Sequence, residues 1–376
     1  LPAASGGWIR IFSADAFPYA STDEYIQDGL VAHYDGINNQ NINDKMHSSD
    51  VVEWKDISGN GYDVKLRKGH STQTREEAIP VTNITQCSGA RWDSNGFFFK
   101  DYCYFAKVPA DPDATDALYN IMPNLPYGND NYTIESVFDP TSREALNGGI
   151  VGWGEQTDYQ ACSVRFHNMS DNAKPKFRNS WWGSDVSAEF TDPGSTNIKN
   201  VAVTYDNDAL AFPYHRIFYY NGTTNSIAYI DPNCPSGGTT HICREKTNKN
   251  TSKRGSFFVG QSVGVNTNDN APDGVSVYTD NMNRYSNGNK LFSVRVYNRA
   301  LTPIQIENNY NVDKLRFEAP PIVRVDGKQC TNVTVLSPRV ITCQVPPGTA
   351  GIVDIEVRTA DDASQILWLD DEFTYQ

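Results

Sequence analysis

Short runs in which apolar and polar residues alternate recur along the chain. The clearest are residues 132–138, which read Y-T-I-E-S-V-F, and residues 201–205, which read V-A-V-T-Y. Residues 217–222 read I-F-Y-Y-N-G and end in an Asn-Gly pair, a strong signal for a hairpin turn. Alternation with period two places one face of a strand against a core. The pattern therefore predicts an all-β chain of many short strands, which include residues 257–260 and 291–297.

One short helix is predicted near the end of this strand-rich region. Thr302 suits the N-cap and Pro303 suits the first helical position. The apolar residues that follow, and that we expect to face a core, are Ile304, Ile306, Tyr310 and Leu315. The helix is predicted to extend over residues 302–316.

Composition agrees with this fold class and narrows the choice of partners. The 376 residues include 20 Tyr, 17 Phe and 7 Trp but only 4 Met, a balance typical of strands. The net charge of −13 repels nucleic-acid phosphates, so nucleic acid is not expected as a partner. The acidic surface fits either simple solubility or contact with divalent cations. No run of about 18 apolar residues occurs, so we expect no membrane insertion.

The seven cysteines point to an oxidising compartment. No C-x-x-C motif or Cys/His cluster suggests a metal site, and six of the cysteines form local pairs in the sequence. The expected disulfides join Cys87 to Cys103, Cys234 to Cys243, and Cys330 to Cys343, which leaves Cys162 over. Reduced, buried cysteines are the alternative.

Six sequons for N-linked glycosylation agree with secretion. They lie at Asn83, Asn131, Asn168, Asn221, Asn250 and Asn332. Together with the cysteine pairs, they lead us to expect an extracellular or cell-surface glycoprotein.

The C-terminal residues 322–376 carry the motifs of a small sandwich. They include V-R-V-D-G-K-Q-C, N-V-T-V, I-T-C, P-P-G-T-A-G and a final F-T-Y. In this order the motifs resemble the IPT/TIG family of immunoglobulin-like domains. The opening strands of that family are missing before this segment. Residues 5–17, S-G-G-W-I-R-I-F-S-A-D-A-F, are similar to that opening, with Ala16 where the family has Gly. The resemblance implies one small domain split between residues 1–20 and 318–376.

The intervening residues 21–317 contain a second ordered set of motifs. They are G-L-V-A-H-Y-D, W-K-D-I-S-G-N-G-Y-D, Y-T-I-E-S-V-F, N-V-A-V-T-Y-D, Y-Y-N-G and V-R-V-Y-N-R-A-L-T-P-I-Q-I-E-N-N-Y. Their order resembles LamG-like jelly-roll domains of the concanavalin A-like lectin/glucanase superfamily. The implied architecture is a large antiparallel jelly-roll β-sandwich inserted into a surface loop of the small immunoglobulin-like sandwich, where insertions are tolerated.

The loop of residues 56–63 offers oxygen atoms on a glycine-bent turn. Hard cations such as Ca²⁺ bind oxygen ligands, so this loop is a candidate calcium site. The candidate ligands are Asp56, Ser58, Asn60 and Asp63, with Asp35 from a neighbouring strand end. The alternative is a tight turn in which Asp and Ser side chains cap backbone N–H groups.

The sequence lacks a recognisable catalytic set. Glycosidases of this superfold often use an E-x-D-x-x-E motif, in which alternate acids share one face of a strand. Glu135 lies on a predicted strand, but Thr133 and Val137 at the alternate positions carry no acid. No nucleophile elbow, zinc motif or phosphate loop occurs, and His33 is best explained as a satisfied strand residue. We therefore expect no enzymatic activity.

Glycan binding is the remaining site hypothesis. Lectins of this superfold bind sugars through aromatic platforms and Asn, Asp and Gly groups. Residues 179–185 have that composition, and the candidates are Asn179, Trp181, Trp182 and Asp185. Neighbouring strand residues face opposite sides, so one Trp could be buried while the other stacks on a sugar. The alternative is that both Trp residues support the sandwich core or a loop.

These patterns favour a non-catalytic extracellular module pair from a larger surface, matrix or filament glycoprotein. Its expected partners are other copies or neighbouring domains of an extracellular assembly, with glycans as a second class. The missing first IPT/TIG strand predicts an open sheet edge that a neighbour fills by strand addition. The alternatives are a Ca²⁺-dependent lectin and, third, a glycoside hydrolase.

Overall fold

The chain forms two β-sandwiches. The computed structural model describes residues 7–12, 22–40, 48–69, 79–93, 95–107, 122–139, 148–154, 161–166, 176–180, 186–189, 199–207, 215–221, 251, 257–261, 288–318, 321–337, 340–348, 351–358 and 366–375.

Strands make up most of the regular structure in the described part of the chain. The strands are β1 (Trp8–Phe12), β2 (Leu30–Asp35), β3 (Glu53–Trp54), β4 (Val64–Lys68), β5 (Ile79–Pro80), β6 (Arg91–Asp93), β7 (Gly96–Phe98), β8 (Cys103–Lys107), β9 (Tyr132–Asp139), β10 (Gly149–Gly154), β11 (Ala161–Phe166), β12 (Lys176–Ser180), β13 (Val186–Glu189), β14 (Lys199–Asp206), β15 (His215–Tyr220), β16 (Phe257–Val259), β17 (Lys290–Tyr297), β18 (Ile322–Val325), β19 (Lys328–Gln329), β20 (Thr331–Ser337), β21 (Val340–Gln344), β22 (Gly351–Arg358) and β23 (Ile366–Tyr375). The one described α-helix, α1, spans Pro303–Asp313. The all-β prediction with a single short helix is confirmed.

Two large antiparallel sheets enclose the main core. One has the order β13-β12-β11-β10-β16-β8-β4-β3, with β5 beside β4. The other has the order β15-β14-β9-β17-β7-β6, with β2 beside β17. Both sheets send buried side chains into one cluster, which includes Trp54, Phe105, Tyr132, Ile134 and Val203. The alternation at residues 132–138 thus arises because β9 lies between this core and a second layer.

Helix α1 forms that second layer on the outer face of the sheet containing β9. Its N-terminus has a capping box in which Thr302 accepts from the N–H of Gln305 and the Gln305 side chain accepts from the N–H of Thr302. Ile306 is fully buried among Tyr219, Tyr297 and Leu301. The helix thereby covers apolar side chains on the side of the sheet away from the main core.

Two details of the predicted helix are wrong. Ile304 is 78% exposed, although we expected it to face a core. It lies two residues from the buried Ile306, which at 3.6 residues per turn places it on a different face. The α-helix also ends at Asp313 and continues as a π-helical turn, Lys314–Glu318.

The small sandwich joins the two ends of the chain. One sheet has the order β1-β21-β20 and the other β19-β18-β22-β23. β1 is antiparallel to β21, with Ile9 opposite Cys343 and Ile11 opposite Ile341. The core of this sandwich comprises Ile11, Val323, Val325, Cys330, Ile341, Cys343, Val345, Ile355 and Val357. The split-domain hypothesis requires this pairing, whereas the domain boundaries themselves stay predictions.

The cysteines in the described residues fall into three groups. The Cys87–Cys103 disulfide is confirmed, with a Cα–Cα distance of 6.0 Å. Cys330 and Cys343 are buried, unbonded thiols, so the predicted bond between them is not formed in this structure. They are neighbours, because a hydrogen bond from Cys343 to Cys330 lowers the pKa of Cys330 and raises the pKa of Cys343. Cys162 lies buried in the main core. Cys234 and Cys243 lie outside the described residues.

No described helix is both long enough and apolar enough to cross a lipid bilayer.

Candidate functional site

Asp56 organises the loop that we considered as a calcium site. One carboxylate oxygen, Oδ1, accepts from the N–H groups of His33 and Ser58, each at 2.9 Å. The other oxygen, Oδ2, accepts from the N–H of Tyr62 and the hydroxyl of Ser58, also at 2.9 Å. Asp56 is 2% exposed. Its oxygens therefore serve the backbone of the turn, as the capping alternative expects.

The other candidate calcium ligands also have protein partners. Asn60 donates from Nδ2 to the carbonyl of Val31 at 2.9 Å. Asp63 accepts from the N–H of Asp56 at 2.9 Å and from Lys55 Nζ at 2.8 Å. No group of three acidic, His or Cys residues suited to a metal occurs in the described part of the chain. The side chains of these candidate ligands already form hydrogen bonds within the protein, and the calcium site stays a prediction.

Asp35, the fifth candidate ligand, has a different structural role. Its Oδ1 accepts from the N–H groups of Ile37 and Asn38, at 2.9 and 2.8 Å. Its Oδ2 accepts from Arg316 Nη2 at 2.8 Å, and both side chains are buried. Phe317 follows and packs on Phe292, with 5.7 Å between ring centroids. Asp35 thus holds the turn through which the chain passes from α1 to the small sandwich.

Asn179 is not available to a sugar. It is fully buried on β12 and accepts from the Tyr132 hydroxyl at 2.6 Å. Its Nδ2 donates to the carbonyl of Ser163 at 3.0 Å, and Arg216 Nη1 approaches its Oδ1 at 3.3 Å. Because Tyr132 belongs to the opposite sheet, Asn179 bridges the two layers of the main sandwich. Its predicted role in glycan contact is therefore corrected.

The other three glycan candidates, Trp181, Trp182 and Asp185, lie outside the described residues, so their role stays a prediction.

Glu135 is enclosed rather than placed in a cleft. It is 1% exposed beneath α1 and accepts from Arg295 Nε at 2.9 Å and from Asn309 Nδ2 at 2.8 Å. Burial raises the pKa of its carboxyl, an effect that the charge of Arg295 opposes. A buried, ion-paired carboxylate without access for a substrate fits a structural role.

A buried polar network around Arg295 was missed by the sequence reasoning. Arg295 binds both carboxylate oxygens of Asp313, at 2.8 and 2.7 Å. Asp313 also accepts from the Tyr25 hydroxyl at 2.8 Å and from Asn200 Nδ2 at 2.7 Å. His33 lies against Tyr25, and burial together with Arg295 and Arg316 holds the pKa of His33 well below 6.5.

A sequence signal for this network existed in the strand alternation. Arg295 and Glu135 are directly opposite on β17 and β9, at positions that point away from the main core. Charged residues at such positions in central strands require a covering layer that pairs them. The charged pair therefore indicates that a further element, here α1, packs on this face of the sheet.

Two of the exposed large apolar side chains among the described residues lie on β1. Trp8 is 62% and Phe12 67% exposed, and the exposed Arg10 lies between them. Ile9 and Ile11 alternate with these residues and face the small core. Because β1 is at the end of its sheet, we call Trp8–Phe12 the β1 edge.

The predicted glycosylation sites differ in accessibility. Asn83 and Asn332 are exposed, whereas Asn131 and Asn221 are half-buried. The side-chain oxygens of these two half-buried residues accept from the N–H groups of Asn207 and Asn200. Asn168 and Asn250 lie outside the described residues.

Comparison with known proteins identifies one of the two expected families. The family model "IPT/TIG domain" matches residues 316–375. A search of curated proteins finds no match to the sequence. The chain thus contains an IPT/TIG domain over residues 316–375.

Several solved β structures share a weak likeness with the chain. A Trypanosoma rangeli sialidase in complex with sialic acid has a TM-score of 0.36 and 13% identity, over 76% of this chain and 33% of its own. Domain 4 of AbnA, a GH43 extracellular arabinanase from Geobacillus stearothermophilus in complex with arabinotriose, has a TM-score of 0.39 and 13% identity. The match covers 77% of this chain and 98% of the arabinanase domain. A botulinum neurotoxin type C structure, from work on its interaction with two ganglioside molecules, has a TM-score of 0.38 and 12% identity. The match covers 81% of this chain and 56% of the neurotoxin chain. The chain thus spans about a third of the sialidase that it matches. At these scores no activity or ligand follows from the likeness.

Proposed function

We propose that this protein is a non-catalytic extracellular module pair that acts through protein–protein packing. In this proposal residues 21–317 form a LamG-like jelly roll, and residues 1–20 and 318–376 form the split IPT/TIG domain that holds it. The pair belongs to a larger surface, matrix or filament glycoprotein.

The observation that carries the proposal is the pairing of β1 with β21. Two strands from opposite ends of the chain share one sheet and one core, so the large sandwich is connected to the small one at both of its ends. The Arg316–Asp35 pair and the Phe317–Phe292 contact fix the second of these connections. Such a double connection limits relative motion, which suits display or lateral packing in an assembly.

Several of the residues considered as calcium, glycan or catalytic sites have structural roles, which indirectly supports a protein-packing function. Asp56, Asp35, Asn179 and Glu135 all form their hydrogen bonds inside the fold. The β1 edge, in contrast, exposes two aromatic side chains and one arginine to solvent. Aromatic and Arg residues are enriched where proteins bind one another. Glycan contact through Trp181 and Trp182 remains the second candidate.

The test begins with protein secreted through an oxidising pathway. We expect peptide mapping to find the Cys87–Cys103 bond, closure of the neighbouring Cys330–Cys343 pair, and glycans on the exposed Asn83 and Asn332. Sialoside and arabinan substrates should show no turnover. A glycan array should show no binding, with or without Ca²⁺.

Two results would reject this function. Turnover of a glycoside above background would make the protein an enzyme. Glycan binding that is lost in Trp181→Ala or Trp182→Ala, with the fold retained, would make it a lectin. Failure of the cysteines to oxidise and of the sequons to be modified in a secretory host would contradict the extracellular location.

A further inference from the structure

Among the described strands only β21 pairs with β1, so one side of the β1 backbone has no described partner. Gly7 accepts from the N–H of Val345 at 2.9 Å, so its carbonyl points toward the strand segment that follows β21. Backbone direction alternates along a strand, so Ile9 and Ile11 also point their N–H and C=O groups at β21. Trp8, Arg10 and Phe12 must then point theirs away from β21. In the part of the chain that the structure describes, no strand pairs with that side of β1.

The same three residues carry the exposed side chains. Trp8, Arg10 and Phe12 therefore present backbone donors and acceptors at the edge and an apolar–basic–apolar row on the outer face. Edge strands of soluble proteins are usually protected by several charges, proline or a bulge. β1 has a single charge, no proline, and a regular register with β21 over all five residues.

We propose that the β1 edge binds an extended strand of a partner protein that carries an acidic residue opposite Arg10 and apolar residues opposite Trp8 and Phe12. This inference rests on the proposed function, because it names the partner class and the recognition mode of a protein-binding module. In strand addition the backbone hydrogen bonds supply affinity and the alternate side chains supply specificity. An oppositely charged residue directly across from Arg10 stabilises the pair.

A second copy of this chain is the less favourable occupant. Full antiparallel overlap of two β1 strands places Arg10 opposite Arg10 and Trp8 opposite Phe12. Like charges directly opposite one another destabilise a sheet, and the net charge of −13 adds repulsion between copies. A shift by two residues avoids the Arg–Arg pair but shortens the overlap of a strand that has only five residues.

The direct test uses two synthetic peptides and the full chain. The two peptides are extended sequences of alternating Thr and Val. The central residue is Asp in the first peptide and Lys in the second. Fluorescence anisotropy should show binding of the Asp peptide and roughly fivefold weaker binding of the Lys peptide. Arg10→Glu, a change at an exposed position, should reverse this preference.

A matched pair of variants separates backbone pairing from side-chain contact. Phe12→Pro removes the outward N–H of Phe12 but leaves the hydrogen bonds from Ile9 and Ile11 to β21 in place. Phe12→Ala removes the same ring and keeps the N–H. We expect Phe12→Pro to abolish binding of the Asp peptide and Phe12→Ala only to weaken it, with unchanged circular dichroism in both.

Four results would overturn the proposal. Three are no binding of either peptide by the folded protein, a preference that Arg10→Glu leaves unchanged, and equal loss in the two Phe12 variants. Concentration-dependent association in sedimentation that Phe12→Pro abolishes would assign the edge to a second copy instead. These failures leave the protein-packing function standing, since that function is rejected by glycan binding or turnover.

Discussion

At the scale of single residues, Asp56 closes a loop with hydrogen bonds alone. It receives three backbone N–H groups and one hydroxyl, all at 2.9 Å, while it is almost wholly excluded from solvent. A carboxylate with this many donors needs no cation to balance it. The loop sequence is the same whether a cation or the backbone is the partner, so only the geometry distinguishes the two hypotheses.

Replacement of Asp56 should therefore destabilise the protein without any link to calcium. We expect Asp56→Ala to lower the free energy of unfolding by about 3 kcal/mol, because buried N–H groups lose their acceptor. Asp50→Ala, at an exposed position, should change it by less than about 0.5 kcal/mol. Urea unfolding measures both, and added Ca²⁺ or EDTA should leave the midpoints unchanged. A midpoint that falls with EDTA in the wild type but not in Asp56→Ala would support the calcium hypothesis instead.

Glu135 is a second residue whose environment has a measurable consequence. Burial raises the pKa of its carboxyl above the ordinary value of 4.5, so the folded protein binds this proton more readily than the unfolded chain does. The contribution of Glu135 to stability is thus fully present below pH 4.5 and is lost as the pH rises through the raised value. Gln at this position cannot titrate.

We accordingly expect the stability of the wild type relative to Glu135→Gln to decrease as the pH rises from 4.5. Urea unfolding of both proteins over a series of pH values provides the difference, and the other groups of the cluster, Tyr25, His33, Arg295 and Asp313, are common to both. A difference that is constant with pH, or that increases, would show that ion pairing with Arg295 outweighs the cost of burial.

At the scale of elements, the start of helix α1 could be predicted from the sequence, whereas its buried face could be predicted only in part. Its start was predicted because the capping box is local chemistry between Thr302 and Gln305. Its inward face was only partly predicted, since the helix buries Asn309 and Asp313 as well as Ile306. Apolar periodicity cannot identify a face that binds a buried arginine. That face depends on Arg295, which lies on β17, the strand that precedes α1 in the chain.

The two isoleucines of α1 provide a matched test of this face. Ile306→Ala should lower the free energy of unfolding by about 3 kcal/mol, since it leaves a cavity against Tyr219 and Tyr297. Ile304→Ala should change it by less than about 0.5 kcal/mol, because that side chain is already in solvent. Urea unfolding distinguishes them, and equal losses would mean that α1 lies on the sheet in another rotation.

At the scale of the whole molecule, the sequence predicted the relation between the chain ends better than it predicted the sites. The N-terminal motif and the C-terminal motifs resemble parts of one domain, and the strands that contain them pair residue by residue. A sandwich core requires strands of fixed order, so motif order carries information about topology. Asn179 shows the opposite case, because a polar residue beside two tryptophans has the same sequence context in a ligand site and in a buried bridge.

The shared core of the chain ends makes a final prediction. Ile11 is 4% exposed in the small core, so Ile11→Asp buries an unpaired charge and should destabilise the small sandwich by several kcal/mol. Hydrogen exchange should accelerate in β18, β21 and β22, while β9 and β17 keep their protection. Phe12→Ser, one residue away but exposed, should leave all five strands unchanged. Unchanged exchange in Ile11→Asp would mean that β1 does not support the small sandwich. Acceleration in β9 and β17 as well would mean that the doubly connected sandwiches unfold as one cooperative unit.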